Sequence, residues 1–464
     1  MIHKFKICET KIVLDVNSGA VHVMDDPAWE LIDYFPALSR EEITSKFSKK
    51  YSPADIEEVL QEISELQKEG LLFSQDKFTG EFPSKDDLTV KSICLNVSHD
   101  CNLRCRYCFA GKGPFGGERA LMPMETGMRA IDFLLEKSKG RRHCELDFFG
   151  GEPLMNVNTV KKLVAYGKKE AARRNKEIKF TLTTNALLLD DEVTEFLNRE
   201  NISVVLSLDG RPDVNDAMRV MPGGSRGSYE YIQPRISAFV ASRNNENYFV
   251  RGTYTRRNID FSRDVLHLAD LGYKYVSVEP VVGHPAEEWS LREDDLSVIF
   301  REYEELVREY AERFKAGQPF EIFHFNLDLD NGPCLPKRIS GCGAGHEYMA
   351  VTPDGNLYPC HQFIGRDGYK LGNVRDGIDN MNMVKRFGAA HIYNKEKCRG
   401  CWAKFHCGGG CHANAELANA NIMEPYHMGC ELEKKRLECA IYAQVLKADN
   451  KEIQGPTAMY TNNY

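Results

Sequence analysis

Long apolar runs are missing from this chain. None approaches the ~18 residues of a membrane span. The opening Met1-Ile2-His3-Lys4-Phe5-Lys6 lacks the apolar core of about 7–15 residues that marks a secretory signal. No membrane association is expected, and the cytoplasm is the expected location. Excess positive charge is missing as well. Lys and Arg number 60 against 68 Asp and Glu, a net charge of −8. General nucleic-acid binding rests on positive charge, so no nucleic-acid partner is expected. There are no internal repeats and no low-complexity tracts, so the sequence does not read as a repeat array.

What is present is an ordinary globular composition, 42% hydrophobic and 28% charged, with ample material for buried cores. At roughly 100–200 residues per domain, the 464 residues predict two to four domains. Cysteine is the anomaly: there are 15. In a reducing compartment they read as metal ligands or catalytic thiols rather than disulfides. They cluster at Cys101, Cys105 and Cys108, and again at Cys398, Cys401, Cys407 and Cys411. Cys8, Cys94, Cys144 and Cys439 stand alone, and each is expected to be a small buried apolar residue.

Residues 1–80 read as a small separate domain. Apolar runs at Lys11–Asp15 and Ala20–Val23 flank Asn17-Ser18-Gly19, a hairpin signal. Helical patterns follow at Pro27–Phe35, Glu41–Phe47 and Pro53–Glu69, the last with Ile56, Val59, Leu60, Ile63 and Leu66 at a 3.6-residue period, closed by Gly70. Leu71-Leu72-Phe73 reads as a returning strand and Thr79–Asp87 as a linker. Across residues 88–317, strand candidates at Ser92–Val97, Glu145–Phe149, Lys179–Thr183, Ser203–Leu208, Tyr248–Tyr254 and Tyr275–Glu279 alternate with helical patterns. Six such units predict an α/β fold, a parallel sheet with helices outside, whose active residues sit at the C-terminal ends of the strands. In residues 318–440 regular periodicity fades and Gly, Cys, His and Pro become frequent, so metal crosslinks would substitute for a large core. Residues 441–464 read as a C-terminal tail.

Cys101-Asn-Leu-Arg-Cys105-Arg-Tyr-Cys108 follows the first of these strands. Three thiolates at spacings of four and three can wrap one face of a compact cluster, and soft thiolates select iron–sulfur or zinc sites. A structural zinc normally takes four protein ligands, whereas three cysteines on a four-iron cubane leave one iron open. A zinc knuckle with a distant fourth ligand is the alternative. The C-x3-C-x2-C spacing, with Tyr107 before the last cysteine, resembles the signature of radical S-adenosylmethionine (radical SAM) enzymes. That resemblance implies a partial (β/α)6 TIM-like barrel, S-adenosylmethionine chelated to the open iron, and a 5′-deoxyadenosyl radical that abstracts hydrogen from substrate. Gly150-Gly151-Glu152-Pro153-Leu154, after the second strand, resembles the family's GGEP motif. Its glycines are expected to let backbone approach a ligand closely, and Glu152 to accept a hydrogen bond from the cofactor's amino group. Thr184-Asn185 ends the third strand, Ser207-Leu208-Asp209-Gly210 the fourth, and Arg219 lies in the next loop. By the resemblance these polar residues bind the ribose and carboxylate of the cofactor. No catalytic side chain is assigned.

A second array runs Cys342, Gly355-x4-Cys360, Cys398-x2-Cys401-x5-Cys407-x3-Cys411 and Cys430. This order resembles the SPASM domain, an extension that binds auxiliary iron–sulfur clusters in peptide-modifying radical enzymes. With the first cluster, the resemblance implies three 4Fe-4S clusters. It assigns Cys398, Cys401, Cys407 and Cys430 to a distal cluster, and Cys342, Cys360 and Cys411 to a proximal one. The eighth ligand is either Cys334, in Asn331-Gly332-Pro333-Cys334, or none, leaving an iron open to a substrate thiolate. In relatives that oxidise sulfatases an acidic residue typically follows the second SPASM cysteine and serves as base; here His361 stands there, which counts against the sulfatase-maturing activity.

A hairpin followed by three helices is a winged-helix-like plan. Residues 1–85 carry 10 Lys and Arg against 16 Asp and Glu, which disfavours a phosphate partner. The plan instead resembles the recognition element of enzymes that modify ribosomally made peptides, where a leader peptide adds as a strand to a sheet edge; the Ile12–Val23 hairpin is the expected edge. Reader, barrel and SPASM domain in this order resemble thioether-forming maturases of the sactisynthase and ranthipeptide-synthase type, above all those of six-cysteine SCIFF peptides. The expected partners are a cysteine-rich precursor peptide bound through its leader and an electron donor such as flavodoxin or ferredoxin. The rivals are a formylglycine-generating or carbon–carbon crosslinking peptide modifier and, more remotely, a non-enzymatic iron–sulfur redox sensor.

Overall fold

The computed structural model describes residues 1–76, 88–224, 226–284, 286–329 and 339–454. Cys334, the linker expected at Thr79–Asp87 and the last ten residues lie outside that range. The chain opens with an antiparallel sheet of β1 (Ile2–Ile7), β2 (Thr10–Asp15) and β3 (Val21–Met24), in that spatial order. Strand β1 was not expected, because Ile2-His3-Lys4-Phe5-Lys6-Ile7 alternates only in its second half. A tight turn at Cys8, with φ 51°, joins it to β2. Cys8 is consequently exposed, unlike Cys94, Cys144 and Cys439, which are buried as anticipated.

Helices α1 (Asp26–Leu31), α2 (Arg40–Phe47) and α3 (Pro53–Glu69) follow. The α3 stripe buries Ile56, Val59, Leu60 and Ile63; Ser52 caps its N-terminus by accepting from the Asp55 amide, and Gly70 closes it at φ 75°. Leu71-Leu72-Phe73 is a bend rather than a strand. Leu72 is buried in the helical core, and the Leu71 carbonyl faces His22 Nε2 at 3.0 Å. Strand β2 is covered on both faces. Val13 packs with Leu31, Ile43, Ile56 and Leu60, whereas Phe5, Ile7, Ile12 and Leu14 join the main core of the molecule. The expected separate domain therefore shares one face of its sheet with the rest of the chain.

Six parallel strands then alternate with helices: β4 (Ser92–Ser98), α4 (Met124–Lys137), β5 (His143–Gly150), α5 (Val157–Arg173), β6 (Glu177–Thr184), α6 (Asp191–Arg199), β7 (Ser203–Ser207), α7 (Pro212–Met218), α8 (Tyr229–Ser242), β8 (Tyr248–Tyr254), α9 (Phe261–Asp270), β9 (Tyr275–Pro280) and α10 (Leu296–Lys315). Strands β4 to β9 pair in sequence order, each parallel to the next. Such a sheet must be covered on both faces, and β4 is buried along its whole length. The curved sheet does not close on itself. At one edge β10 (Glu321–Ile322) pairs with β9; at the other, β11 (Tyr348–Val351) pairs with β4 and continues through β12 (Asn356–Tyr358), β13 (Gly372–Asn373) and β14 (Gly377–Ile378). The cysteine-rich region is thus hydrogen-bonded directly to the first barrel strand.

The expected C-terminal tail is corrected: a helix runs His427–Gln454. Its run Cys439-Ala440-Ile441-Tyr442-Ala443 is buried in the main core, with Cys439 Sγ 3.6 Å from the Tyr303 carbonyl of α10. No helix among the described residues is long and apolar enough to cross a membrane.

At the seam between the first sheet and the C-terminal region, His3 stacks on Trp402 with ring centroids 3.7 Å apart and 4° between planes; its Nε2 lies 3.0 Å from Glu438 Oε1. His3→Ala removes both contacts. It should lower stability by about 1 kcal/mol, the scale of a stacked aromatic pair, and raise amide hydrogen exchange in β1 before that in β6; equal exchange in the two strands would show that the seam does not hold the module.

Candidate active site

The loop carrying Cys101, Cys105 and Cys108 leaves the C-terminal end of β4 and docks on the end of β5. The Gly151 amide donates to the Ser98 carbonyl at 2.7 Å, and the Glu152 amide to the Asp100 carbonyl at 2.8 Å. A Cβ on Gly150 (φ 135°) would lie 2.2 Å from Ser98 O, and one on Gly151 2.1 Å from Asp100 O. The close approach expected of these glycines is therefore an approach to the chain's own cysteine loop.

Glu152 is buried and ties three strand ends together. Its Oε1 accepts from the Leu154 amide at 3.0 Å and the Thr184 hydroxyl at 2.8 Å; Oε2 accepts from the Asn185 amide at 2.8 Å. Burial pushes its carboxyl up to about 7, against the pull of those hydrogen bonds. An ionised carboxylate offers about four acceptor sites, so one remains. Asn185 reaches back to the cysteine loop: its Nδ2 donates to Asn102 Oδ1 at 2.7 Å and lies 3.7 Å from Cys101 Sγ.

The other side of the loop is held by residues 218–220. Arg104 N donates to the Val220 carbonyl at 2.8 Å and Arg106 N to that of Met218 at 2.9 Å. Tyr107 donates its hydroxyl proton to Asp209 Oδ2 at 2.5 Å, and Arg219 Nη1 donates to the Tyr107 oxygen at 3.0 Å. Asp209 Oδ1 also accepts from the Thr253 amide at 3.2 Å, fastening this group to β8. Burial works against the charge on Arg219, but Tyr107, Cys105 and Asp209 outweigh it and hold its pKa above the usual arginine value. Its Nε is buried without a hydrogen-bond partner among the described residues, a costly state for a charged donor. Ser207 stands half-buried at the end of β7.

Burial pushes the thiol of Cys101 up to about 12 and that of Cys105 to about 11. Thiols so placed ionise only when a cationic group supplies the missing countercharge. Among the described residues no three His, Cys, Asp or Glu side chains converge on one point. A cubane takes one thiolate at each corner and needs no such convergence. Three soft donors on one loop, beside a buried guanidinium whose Nε has no partner among the described residues, fit a cluster and a cofactor carboxylate.

The C-terminal cysteines fall into two sets. Cys360 feels the charges of Cys411 and Cys342. Cys398, Cys401, Cys407 and Cys430 line a cavity of about 310 Å³ with Trp402 and Lys404. Burial raises Cys398 to about 11 and Cys407 to about 12. Lys395, which no sequence pattern singled out, is buried with its Nζ donating to the Gly409 carbonyl at 2.7 Å. Burial lowers its pKa, while Cys398, Cys407, Cys411 and Cys430 pull the other way, so this cation borders both sets. His361, beside Cys360, stacks on Phe149 of β5 at 4.9 Å and 18°, with its Nδ1 3.4 Å from the Tyr348 hydroxyl. Burial lowers its imidazole to about 4.

Residues 95–231 match the radical SAM superfamily, and residues 342–402 match the SPASM iron–sulfur cluster-binding domain. The chain is 24% identical over 375 residues to a radical SAM cyclopropyl synthase, TigE, of Paramaledivibacter caminithermalis, covering 74% of this chain and 72% of that one. It is 24% identical over 348 residues to a cysteine-type anaerobic sulfatase-maturating enzyme of Clostridium novyi, covering 70% and 90%. Its fold is similar to that of anSMEcpe with bound AdoMet (TM-score 0.63, 20% identity, 77% of this chain and 99% of that one). It is also similar to that of Streptococcus suis SuiB bound to precursor peptide SuiA (TM-score 0.51, 17% identity, 90% and 96%). A mixed α/β radical SAM fold with a C-terminal SPASM domain implies S-adenosylmethionine and iron–sulfur clusters.

Gly151→Ala would press a methyl group against the Asp100 carbonyl, 2.1 Å away. The loop must shift, at a cost of about 1–3 kcal/mol for overpacking. Iron bound after anaerobic reconstitution should fall by the share of one cluster; full iron content would show that the loop tolerates the shift.

Proposed function

We propose that this chain, a radical SAM domain followed by a SPASM domain, modifies a ribosomally made, cysteine-rich peptide by joining a cysteine sulfur to a carbon of another residue. In this reading Cys101, Cys105 and Cys108 hold the first cluster. With S-adenosylmethionine bound, that site supplies the hydrogen-abstracting 5′-deoxyadenosyl radical. Arg219, whose Nε is buried without a partner, takes the cofactor carboxylate. Glu152 takes the amino group with its remaining acceptor site. Thr184 and Asn185 fix Glu152, while Gly150 and Gly151 fix the loop. Tyr107 and Asp209 orient Arg219, and Ser207 completes the rim.

The observation that carries the thioether reading is the division of the described auxiliary cysteines into a set of four and a set of three. Cys398, Cys401, Cys407 and Cys430 close one cluster. Cys342, Cys360 and Cys411 leave a corner of the other for a ligand, filled either by Cys334 or by a thiolate of the peptide. That corner belongs beside His361, which stacks on the barrel strand β5, so a peptide sulfur held there lies next to the barrel interior. A metal at this position lowers the pKa of a bound group as it does that of bound water. Three clusters in all, and a low-potential donor such as flavodoxin or ferredoxin, complete the requirements.

The named relatives include a cyclopropyl synthase and a sulfatase-maturating enzyme, and product analysis separates those chemistries from thioether formation. After anaerobic reaction with a cysteine-rich precursor peptide, the thioether reading expects the mass to fall by two hydrogens per bridge, with one thiol lost to alkylation each time. A mass loss that leaves every thiol free would reject it.

The leader is proposed to add to the outer edge of β3, where Val23 is 57% exposed and its strand is paired only with β2 among the described residues. Removing the whole N-terminal module is a poor test, because Phe5, Ile7, Ile12 and Leu14 belong to the main core. Val23→Pro leaves that face intact. It should weaken leader-peptide binding about tenfold, equivalent to ~1.4 kcal/mol, with little change in melting temperature; unaltered affinity would send the leader elsewhere.

A further inference from the structure

Strand β9 ends in a polar cluster that neither the cofactor site nor the cysteine sets use. On β8, Tyr254 stacks on Phe261 of α9 at 4.3 Å, so its side faces the helices. Alternation then turns Phe249, Arg251 and Thr253 to the inner face of the curved sheet. The register Arg251↔Ser277 and Thr253↔Glu279 puts Ser277 and Glu279 on that inner face beside them. Glu279 stands one residue from the C-terminal end of its strand, where barrel enzymes carry their chemistry.

His324, in the turn after β10, meets Glu279 there: its Nε2 is 2.6 Å from Glu279 Oε1. Arg251 Nη2 is 3.6 Å from the same oxygen, and Arg436 Nη1, from the C-terminal helix, is 3.6 Å from Oε2. Glu433 pairs with Arg436 behind it, and the Tyr254 and Tyr303 hydroxyls lie 3.4 Å apart nearby. Burial disfavours charge on Glu279, but His324, Arg251 and Arg436 outweigh it and hold its carboxyl well below the usual range. Burial and Arg436 lower the imidazole of His324, while Glu279 and Glu433 oppose them. A neutral ring that donates its Nε2 proton to a carboxylate presents Nδ1 as an acceptor. The surroundings suit a substrate. Arg251 is 51% exposed, Phe323 is 40% exposed and packs edge-on to Phe249 at 5.2 Å, and the charge of Arg251 reaches His361 beside Cys360.

We propose that His324, oriented by Glu279, is the proton acceptor for the peptide cysteine in the barrel. The step is a proton transfer alone: the S–H bond breaks, its electron pair stays on sulfur, and the proton moves to Nδ1, giving an imidazolium held against the Glu279 carboxylate. This rests on the thioether reading above, in which sulfur must react as thiolate. A free cysteine of pKa ~8.5 is only about 3% ionised at pH 7, so without a base only that fraction reacts; a neutral imidazole that takes the proton as sulfur reacts lifts this limit by up to about 30-fold. Glu279 is a positioning residue: it fixes the tautomer and ring orientation and does not itself receive the proton.

The test uses reconstituted holoenzyme and a cysteine-rich precursor peptide, counting thioethers formed per 5′-deoxyadenosine between about pH 6.5 and 9.5. Wild type should vary little. His324→Gln should fall about 30-fold at pH 7 and recover as pH rises through the thiol's own titration near ~8.5, with leader affinity unchanged. Glu279→Gln should show the same recovery from a smaller loss. A second readout needs no turnover: without S-adenosylmethionine, the pH midpoint for iodoacetamide alkylation of the bound peptide cysteine should lie below that of the free peptide in wild type and return to it in His324→Gln. The same yield and pH profile in both proteins would overturn the assignment, as would a pH-independent loss in the variant or an alkylation midpoint in wild type equal to that of the free peptide. If wild type consumes cofactor on the peptide but forms no thioether, the reading beneath it fails, which is a separate result.

Discussion

A backbone approach that only glycine permits governs this molecule's chemistry. The end of β4 and the cysteine loop that follows it lie so close to Gly150 and Gly151 that a side-chain carbon on either would sit about 2 Å from a carbonyl oxygen, that of Ser98 or of Asp100. With the loop seated, Glu152 meets Thr184 and Asn185, and Asn185 in turn contacts Asn102 and Cys101. Tyr107, carried on the same loop, reaches Asp209 and Arg219. Residues from four strand ends thus converge through one contact between two turns of main chain. The polar residues of the site spend most of their hydrogen-bonding capacity on each other. What is left over, one acceptor site on Glu152 and the Nε of Arg219, is complementary in charge to an amino acid.

Much of this was legible in the sequence because the signals were local. Ser92–Val97 and the five later strands declared themselves by short apolar runs between helical periods, and Cys101, Cys105 and Cys108 by spacing. The parallel sheet carried Thr184, Asp209 and Arg219 to the same end of the barrel, as strand order required. Less legible were contacts made across long stretches of chain. β1 hides in a segment with little alternation. Lys395 looks like any surface lysine until burial places it beside two sets of cysteines. His324 and Glu279 lie 45 residues apart, and nothing near either announces the other; the register between β8 and β9 places Glu279 on the inner face, and only the fold brings His324 to it. Gly150 and Gly151 suggest a close approach to a ligand, whereas in the fold what they admit is the chain's own backbone at Ser98 and Asp100.

The auxiliary region differs from the barrel in what holds it together. Its strands are two to four residues long, and its hydrophobic clusters are small. Its attachment is nonetheless extensive: β11 extends the barrel sheet, His361 stacks on Phe149, and the C-terminal helix lies along α10. Burial holds Cys360, Cys398 and Cys407 of this region toward the neutral thiol. Metal occupancy and folding are linked here in the sense that binding free energy becomes stability.

The two-sided burial of β2 bears on how such enzymes diversify. A recognition module that met the rest of the chain only through a linker could be exchanged between relatives as a cassette. Here the sheet contributes Phe5, Ile7, Ile12 and Leu14 to the main core, and His3 locks onto Trp402 and Glu438. Recombination between the two parts would graft a mismatched hydrophobic seam, so a chimera built for new substrates must carry its own seam with it.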